Sequence, residues 1–487
     1  MVSLPPGLLS EVAYTLGGIM PLWLVWWEAM CLLRPAFSRA ASFMWFSAIV
    51  AGLMTRSDLL GVTSVVRALK LAPKRYKSLL NLCHSASVDL HELTVLWTKL
   101  VRKLLPGAVL VNGRLVLVGD GVKIGKRGEK MPAVKWLFQA MSNTKPARIM
   151  GHSLQAVSLL VHGCATFMAV PLTARIHEGI VASNATKRTL LDKMLSLINS
   201  VEIGQAFYFV ADAYYASGKV IKALLAAGNH LITRMRSNSV AYEPAVPEPG
   251  RRGRPRKYGK RIELQSLFAF PDDMQTATSP VYGEDQGKHR VEIRYRVRDL
   301  LWRPAGVAVR IVAVCHPIRG NIIMMSTDTG LEALEVIRLY GLRCKIEYAF
   351  KQAIRTLGAF AYHFWMKAMN PVKRGSGNQH THRETPEYRA AIARKIHAYH
   401  VFIQAGIICQ GMLQYLSVTC TPQVWSCFRS WLRTVRDGIP PSEFVTAQAM
   451  RQTLPEFLLA RGASHIFANF VVEKQDPGRM GHLGMAA

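Results

Sequence analysis

Residues 108–120 read AVLVNGRLVLVGD. Two apolar, β-branched runs, 108–111 and 114–119, flank Asn112 and Gly113, the kind of dipeptide that closes a two-residue hairpin. The pattern predicts two strands, with Asp120 where the second one ends. Downstream, 155–176 reads as two further strands around Gly163 and Pro171, and 183–200 as a helix that Ser183 or Asn184 can cap. Residues 206–211 (AFYFVA) form a buried strand closed by Asp212; a helix over 216–227, a stop at Gly228 and a strand over 230–235 follow. Strand, strand, strand, helix, strand, helix, strand is the order of an α/β domain, where carboxylates at strand ends project clear of the sheet and can meet. Asp120 and Asp212 are placed that way.

The segment GVKIGKRGEKMPAVKW (121–136) sets Lys123, Lys126 and Arg127 among glycines and reads as a flexible cationic loop. From about 237 the pattern is interrupted by proline and acidic residues, then by RRGRPRKYGKR (251–261). Arg254 is the arginine of a Gly-Arg-Pro core there, and Arg256 and Lys257 follow it. Such a run contacts phosphates in general, or lies in an A·T minor groove with its proline holding the backbone extended, or is simply solvated. Strand patterns over 291–298 and 305–315 make 237–318 a β-rich insertion, and 321–327 returns to the parent sheet.

Upstream, 1–105 reads as short helices joined by basic turns. Its apolar stretches, 16–33 and 40–54, are respectively broken by Pro21 and Glu28 and too short to span a bilayer. Both read as core helices, and the protein as cytoplasmic. Sixty-one Lys and Arg against 31 Asp and Glu give a formal charge of +30, spread along the 487 residues, which points to a polyanion and, for a folded chain of this size, to nucleic acid. The eight cysteines contain no C-x-x-C pair and read as buried reduced thiols, which excludes a disulfide frame or a zinc site.

Residues 340–357, YGLRCKIEYAFKQAIRTL, carry the third carboxylate. At about 100° per residue, Leu342, Ile346, Ala349, Phe350, Ala353 and Leu357 share one side of a helix, while Tyr340, Arg343, Glu347 and Lys351 gather on another. Taken alone this is an amphipathic helix with a salt-bridge ladder. Beside Asp120 and Asp212, Glu347 becomes part of a set that can hold two divalent cations roughly 4 Å apart. Hard oxygen ligands suit Mg²⁺ or Mn²⁺, and paired metals stabilise the attacking and leaving oxygens of a phosphoryl displacement.

Tyr340, Arg343 and Glu347 in the spacing Y-x-x-R-x-x-x-E, preceded by Asp120, Asp212 and the turn Ser326-Thr327-Asp328, make the chain resemble the DDE transposases of bacterial insertion sequences. The resemblance implies an RNase H-like α/β catalytic core split between 106–236 and 319–360, with 237–318 inserted. A helical N-terminal domain (1–105, DNA binding) and a mostly helical C-terminal region (361–487) flank it. It implies metal-dependent cleavage and strand transfer by Asp120, Asp212 and Glu347 with two Mg²⁺ (or Mn²⁺), and a dimer or larger assembly on terminal inverted repeats and target DNA. Tyr340 and Arg343 would contact phosphates beside the cleavage point; Arg343 suits this because its planar fork grips phosphate bidentately. The family pattern continues with a lysine seven residues after the glutamate. Here that residue is Ile354, and Lys351 or Arg355 can supply the charge. These cations join Lys123, Lys126, Arg127, Arg254, Arg256 and Lys257 as the expected DNA-binding set. Two alternatives stand beside this reading, a catalytically impaired repressor and an RNase H-like nuclease that does not transpose. Asp328 is the reserve carboxylate, and His380 and His382 read as a solvated loop.

Overall fold

A computed structural model describes residues 21–480, apart from 106, 140–146, 164–165, 186, 247–254, 285–289, 432–433, 437 and 462–464. The N-terminal apolar periodicity folds as α1 (Pro21–Cys31), α2 (Ala40–Thr55), α3 (Val62–Ala68), α4 (Arg75–Cys83) and α5 (Leu90–Leu104). The expected hairpin follows, as β1 (Leu110–Val111) and β2 (Arg114–Gly125). Its turn residues Asn112 and Gly113 both have positive φ, 48° and 71°, which matches the right-handed twist of the paired strands. Strand β2 does not end at Asp120 as expected; it runs five residues further, because β4 (Arg148–Gly163) pairs with it as far as Gly125. The first five of the sixteen residues of the expected cationic loop are therefore strand, and β3 (Lys135–Phe138) edges the start of β4.

After β5 (Thr166–Ile176) comes α6 (Leu190–Asn199), shorter than the predicted 183–200. Its cap is neither Ser183 nor Asn184 but Thr189, whose hydroxyl accepts the Asp192 N–H while the Asp192 carboxylate accepts the Thr189 N–H. This reciprocal box satisfies two otherwise unpaired donors. Replacing Thr189 by Ala is expected to cost about 1 kcal/mol of unfolding free energy, measured by urea denaturation.

Strand β6 (Phe207–Ala211), α7 (Gly218–Ala226) and β7 (His230–Arg234) complete the order read from the sequence. Strands β8 (Val240–Pro244), β9 (Tyr258–Glu263), β10 (Gln275–Thr278), β11 (Glu292–Trp302) and β12 (Val307–His316) then lead to β13 (Gly320–Ser326). All belong to one 13-stranded sheet ordered β3-β4-β2-β6-β7-β13-β12-β11-β8-β9, with β1, β5 and β10 pairing off this path. Because β13 is hydrogen-bonded to both β7 and β12, the strands of 237–318 continue the sheet. Within it, β5, β4 and β2 are antiparallel to one another, while β2, β6 and β7 are parallel.

The two faces of the sheet meet different partners, as the period of two requires. Val116, Val118, Tyr208, Val210 and Ile232 pack on Ile337, Leu342 and Ile346 of α8 (Ala333–Leu342) and α9 (Cys344–Gln352). Leu115, Leu117, Phe207 and Phe209 point into the opposite core, where Phe209 meets Tyr215 and which also takes in α6, α7 and the terminal helices. These include α10 (Pro386–Thr419), α11 (Thr421–Cys427), α12 (Glu443–Arg461) and α13 (Ile466–Val472). By length and composition α10 could cross a membrane, yet 94% of its apolar window is buried inside the protein, against β5, α2, α5 and α12. Gly411 of α10 accepts the ring of Trp97 from α5; a Cβ there would lie 2.2 Å from it. The Trp97 indole N–H in turn donates to the Pro171 carbonyl of β5 at 2.9 Å.

The predicted helix over 340–357 is helical along its length, running from α8 into α9 through Arg343, which has helical backbone angles of φ −53° and ψ −34°; at Ala353–Leu357 it widens into a π-helical stretch that Gly358 closes with φ 58°. Cys31 and Cys344 are exposed, against the expectation of burial, whereas Cys83, Cys409, Cys420 and Cys427 are buried. Cys164 lies outside the described residues.

Candidate active site

Parallel pairing of β2 with β6 sets Val118 opposite Val210; two residues on lie Asp120, still within β2, and Asp212, the first residue after β6, close enough for the Asp212 charge to act on Asp120. Both share the parity of Val118 and Val210, which pack against α8 and α9. The aspartates therefore project toward the helix pair that carries Glu347.

Asp120 is largely enclosed. One of its carboxylate oxygens accepts the Gly121 N–H at 2.7 Å and the other accepts Arg343 Nη1 at 2.7 Å. The second guanidinium nitrogen, Nη2, donates to Glu347 Oε1 at 2.6 Å. One guanidinium thus links a strand carboxylate to a helix carboxylate. Side-chain exposure is 18% for Arg343 and Asp120 but 56% for Glu347, so the cluster opens to solvent on the Glu347 side. Burial raises the Asp120 pKa, with Arg343 opposing and Asp212 adding to the rise. Burial works against the charge of Arg343, yet Asp120, Tyr340 and Glu347 together hold its pKa above the ordinary value. The Tyr340 ring lies 6.0 Å from the guanidinium.

Asp212 leaves β6 and caps the short turn after it, accepting the Tyr214 N–H at 3.0 Å. Its carbonyl accepts the Thr233 hydroxyl at 2.7 Å. Buried Tyr215 receives a hydrogen bond from Gln155, and its pKa is driven well up by burial and by the charges of Asp120 and Asp212. Gln155 sits opposite Gly121 on β4. Neither Gln155 nor Tyr215 was singled out by the sequence, which gives no signal beyond polarity inside an apolar strand. Asp328 is at the wrong end of the sheet for a reserve ligand: it accepts the hydroxyl of Tyr208, near the start of β6, at 2.6 Å.

Of the expected DNA-facing cations, Lys351 is exposed on α9 and Arg355 follows in the π-helical stretch. With Trp425 and Arg436 they line a cleft of about 660 Å³. The part played there by Trp425 and Arg436, from the C-terminal region, was not read from the sequence. Lys123 and Arg127 are exposed, Lys123 donating to the Phe138 carbonyl. Arg256 and Lys257 are exposed beside β9, and Lys257 donates to Gly306 O at 2.5 Å. Arg254 lies outside the described residues.

Lys126 departs from the expectation. It is 6% exposed and its ammonium donates to the carbonyls of Phe360 and Tyr362, the latter at 3.0 Å. It ties the end of β2 to the segment after the Glu347 helix and cannot reach DNA. Burial pushes its pKa down to about 7. Between about pH 7 and 10.5 the unfolded chain therefore binds a proton at Lys126 that the folded chain has lost, and stability rises with pH by up to about 1.4 kcal/mol per unit from this group. Lys126→Met is expected to flatten that slope in urea titrations run from pH 7 to 9.

Among the described residues no group of three or more His, Cys, Asp or Glu is disposed as a metal cage. The donors nevertheless have the chemistry a divalent ion takes: Asp120 and Glu347 share the Arg343 guanidinium, and Asp212 is close enough to act electrostatically on Asp120. His380 and His382 stack edge to face and join no such group.

A mixed α/β sheet carrying paired aspartates on adjacent parallel strands, beside a helix-borne glutamate, belongs to the class of nuclease-type enzymes. The chain belongs to the DDE superfamily endonuclease family, whose profile matches residues 32–303. The match covers more than half of the chain and includes Asp120 and Asp212 but stops before Arg343 and Glu347. No curated protein matches the chain.

Proposed function

We propose that the protein is a DDE transposase, binding the ends of a mobile element and catalysing metal-dependent strand cleavage followed by strand transfer. The observation that carries this is that pairing of β2 with β6 brings Asp120 and Asp212 to one end of the sheet, where the Arg343 guanidinium joins Asp120 to Glu347. The order β5-β4-β2-β6-β7, three antiparallel strands followed by two parallel additions, supports an RNase H-like core. Asp120, Asp212 and Glu347 would hold two Mg²⁺ or Mn²⁺. When bound, such ions polarise the scissile phosphate and lower the pKa of an attacking water or 3′-hydroxyl.

The chain's own residues position the DNA. Arg343 and Tyr340 hold the phosphate beside the carboxylates. Lys351 and Arg355, four and eight residues after Glu347 on the same side of the helix, extend that grip along the strand. Lys351 and Arg355 stand in for the lysine that Ile354 replaces. Exposed Lys123, Arg127, Arg256 and Lys257 contact the backbone farther out, and self-association pairs two ends.

The test is incubation of the purified protein and Mg²⁺ with duplexes carrying the element's inverted repeats and with a target plasmid. Nicked ends that become joined to the target are expected. Cleavage without joining would leave only a nuclease, and binding without either would indicate a repressor.

A further inference from the structure

We propose, resting on the reading above, that Arg343 is a clamp on the metal-binding carboxylates that DNA releases: its guanidinium holds Asp120 and Glu347 until a backbone phosphate takes it over. The fork donates one nitrogen to each carboxylate, Nη1 to Asp120 at 2.7 Å and Nη2 to Glu347 at 2.6 Å. These acceptors come from β2 and α9, 227 positions apart in the chain and joined here by one side chain. The guanidinium thereby covers carboxylate oxygens that a divalent ion needs and places a like charge where the ion would bind.

Two features make the clamp releasable. Arg343 joins α8 to α9 with helical backbone angles, φ −53° and ψ −34°, so its side chain can change rotamer while the backbone stays in place. Glu347, its outer acceptor, is more than half exposed, so an incoming phosphate meets the fork from the solvent side. A phosphate offers the same bidentate geometry as a carboxylate and attracts the fork equally well. Tyr340, with its ring 6.0 Å away, gives the guanidinium a face to rest against in either position.

Linkage then fixes the consequence. If phosphate binding removes Arg343 from the carboxylates, DNA must raise metal affinity, and metal must raise DNA affinity by the same factor. The protein without DNA would load metal poorly.

The experiment measures Mn²⁺ affinity, by the free-ion electron paramagnetic resonance signal, on the full chain with and without a duplex. Wild type is expected to bind Mn²⁺ about tenfold more tightly with DNA. Arg343→Gln should raise the DNA-free affinity by a similar factor and shrink the DNA-dependent step toward one. Arg343→Lys keeps the charge but cannot bridge two carboxylates, and should resemble Arg343→Gln; if it matches wild type, simple charge repulsion replaces the clamp and the proposal is overturned. It is equally overturned if Arg343→Gln leaves the DNA-free affinity unchanged while Asp120→Asn abolishes binding. Mn²⁺ binding that is indifferent to Asp120→Asn would instead sink the metal-site reading, and the clamp with it. Thermal unfolding of each variant confirms that it is folded.

Discussion

Asp120→Asn is expected to reduce metal-dependent DNA cleavage by about a thousandfold or more, the factor that corresponds to losing several kcal/mol of transition-state charge stabilisation. DNA binding in the absence of metal should not weaken, since the positive surface is untouched and Arg343 loses one competing acceptor. Glu347→Gln and Asp212→Asn should behave alike, because the three carboxylates act as one set. The informative control is Asp328→Asn. Asp328 is also a carboxylate in a turn beside the sheet, but it lies with Tyr208 and His230 at the opposite end of β6 from Asp212. It should leave cleavage intact. Equal losses from Asp328→Asn and Asp120→Asn would mean that the catalytic end of the sheet has been misplaced.

Trp97→Ala should cost about 3–5 kcal/mol of stability. Trp97 is 1% exposed and joins three parts of the chain: its own helix α5, the Pro171 carbonyl of β5, and the bare backbone at Gly411 of α10. Truncation leaves a cavity among elements with no other reason to collapse, and strips that carbonyl of its donor. Urea titration should show a lower midpoint with an unchanged slope. A loss under about 1 kcal/mol would mean that α5 and α10 do not share a core in this way.

How far the sequence reached can be seen at particular residues. The hairpin at 110–125 was legible because Asn112-Gly113 is a local signal that needs no tertiary context. Asp120 and Asp212 stood out because each carboxylate follows a strongly apolar run that reads as a strand, and the parallel pairing of those strands brings both to one end of the sheet. Other features depended on partners remote in sequence. Nothing near Lys126 announces that its ammonium will be claimed by carbonyls more than 230 residues away, so a glycine-rich basic run looked like free loop. The reach of Arg343 to Asp120 across the fold is invisible to a helical wheel, which sees only contacts three or four residues apart. The cap of α6 was misplaced because Ser183, Asn184 and Thr189 are all good capping residues. Asp192, three residues after Thr189, was the signal that separates them.

The unbroken sheet has a further consequence. From β6, which presents Asp212, to β9, which follows Arg256 and Lys257, there are six strand-to-strand steps. At ~4.8 Å each, this is a span of at most about 29 Å. On B-form DNA, at about 3.4 Å per base pair, that equals roughly eight base pairs, a little under one helical turn. Under the proposed function this span acts as a ruler. In the proposed reading, basic contacts made beside β9 should footprint about one turn from the cut, on the same side of the duplex as the scissile phosphate.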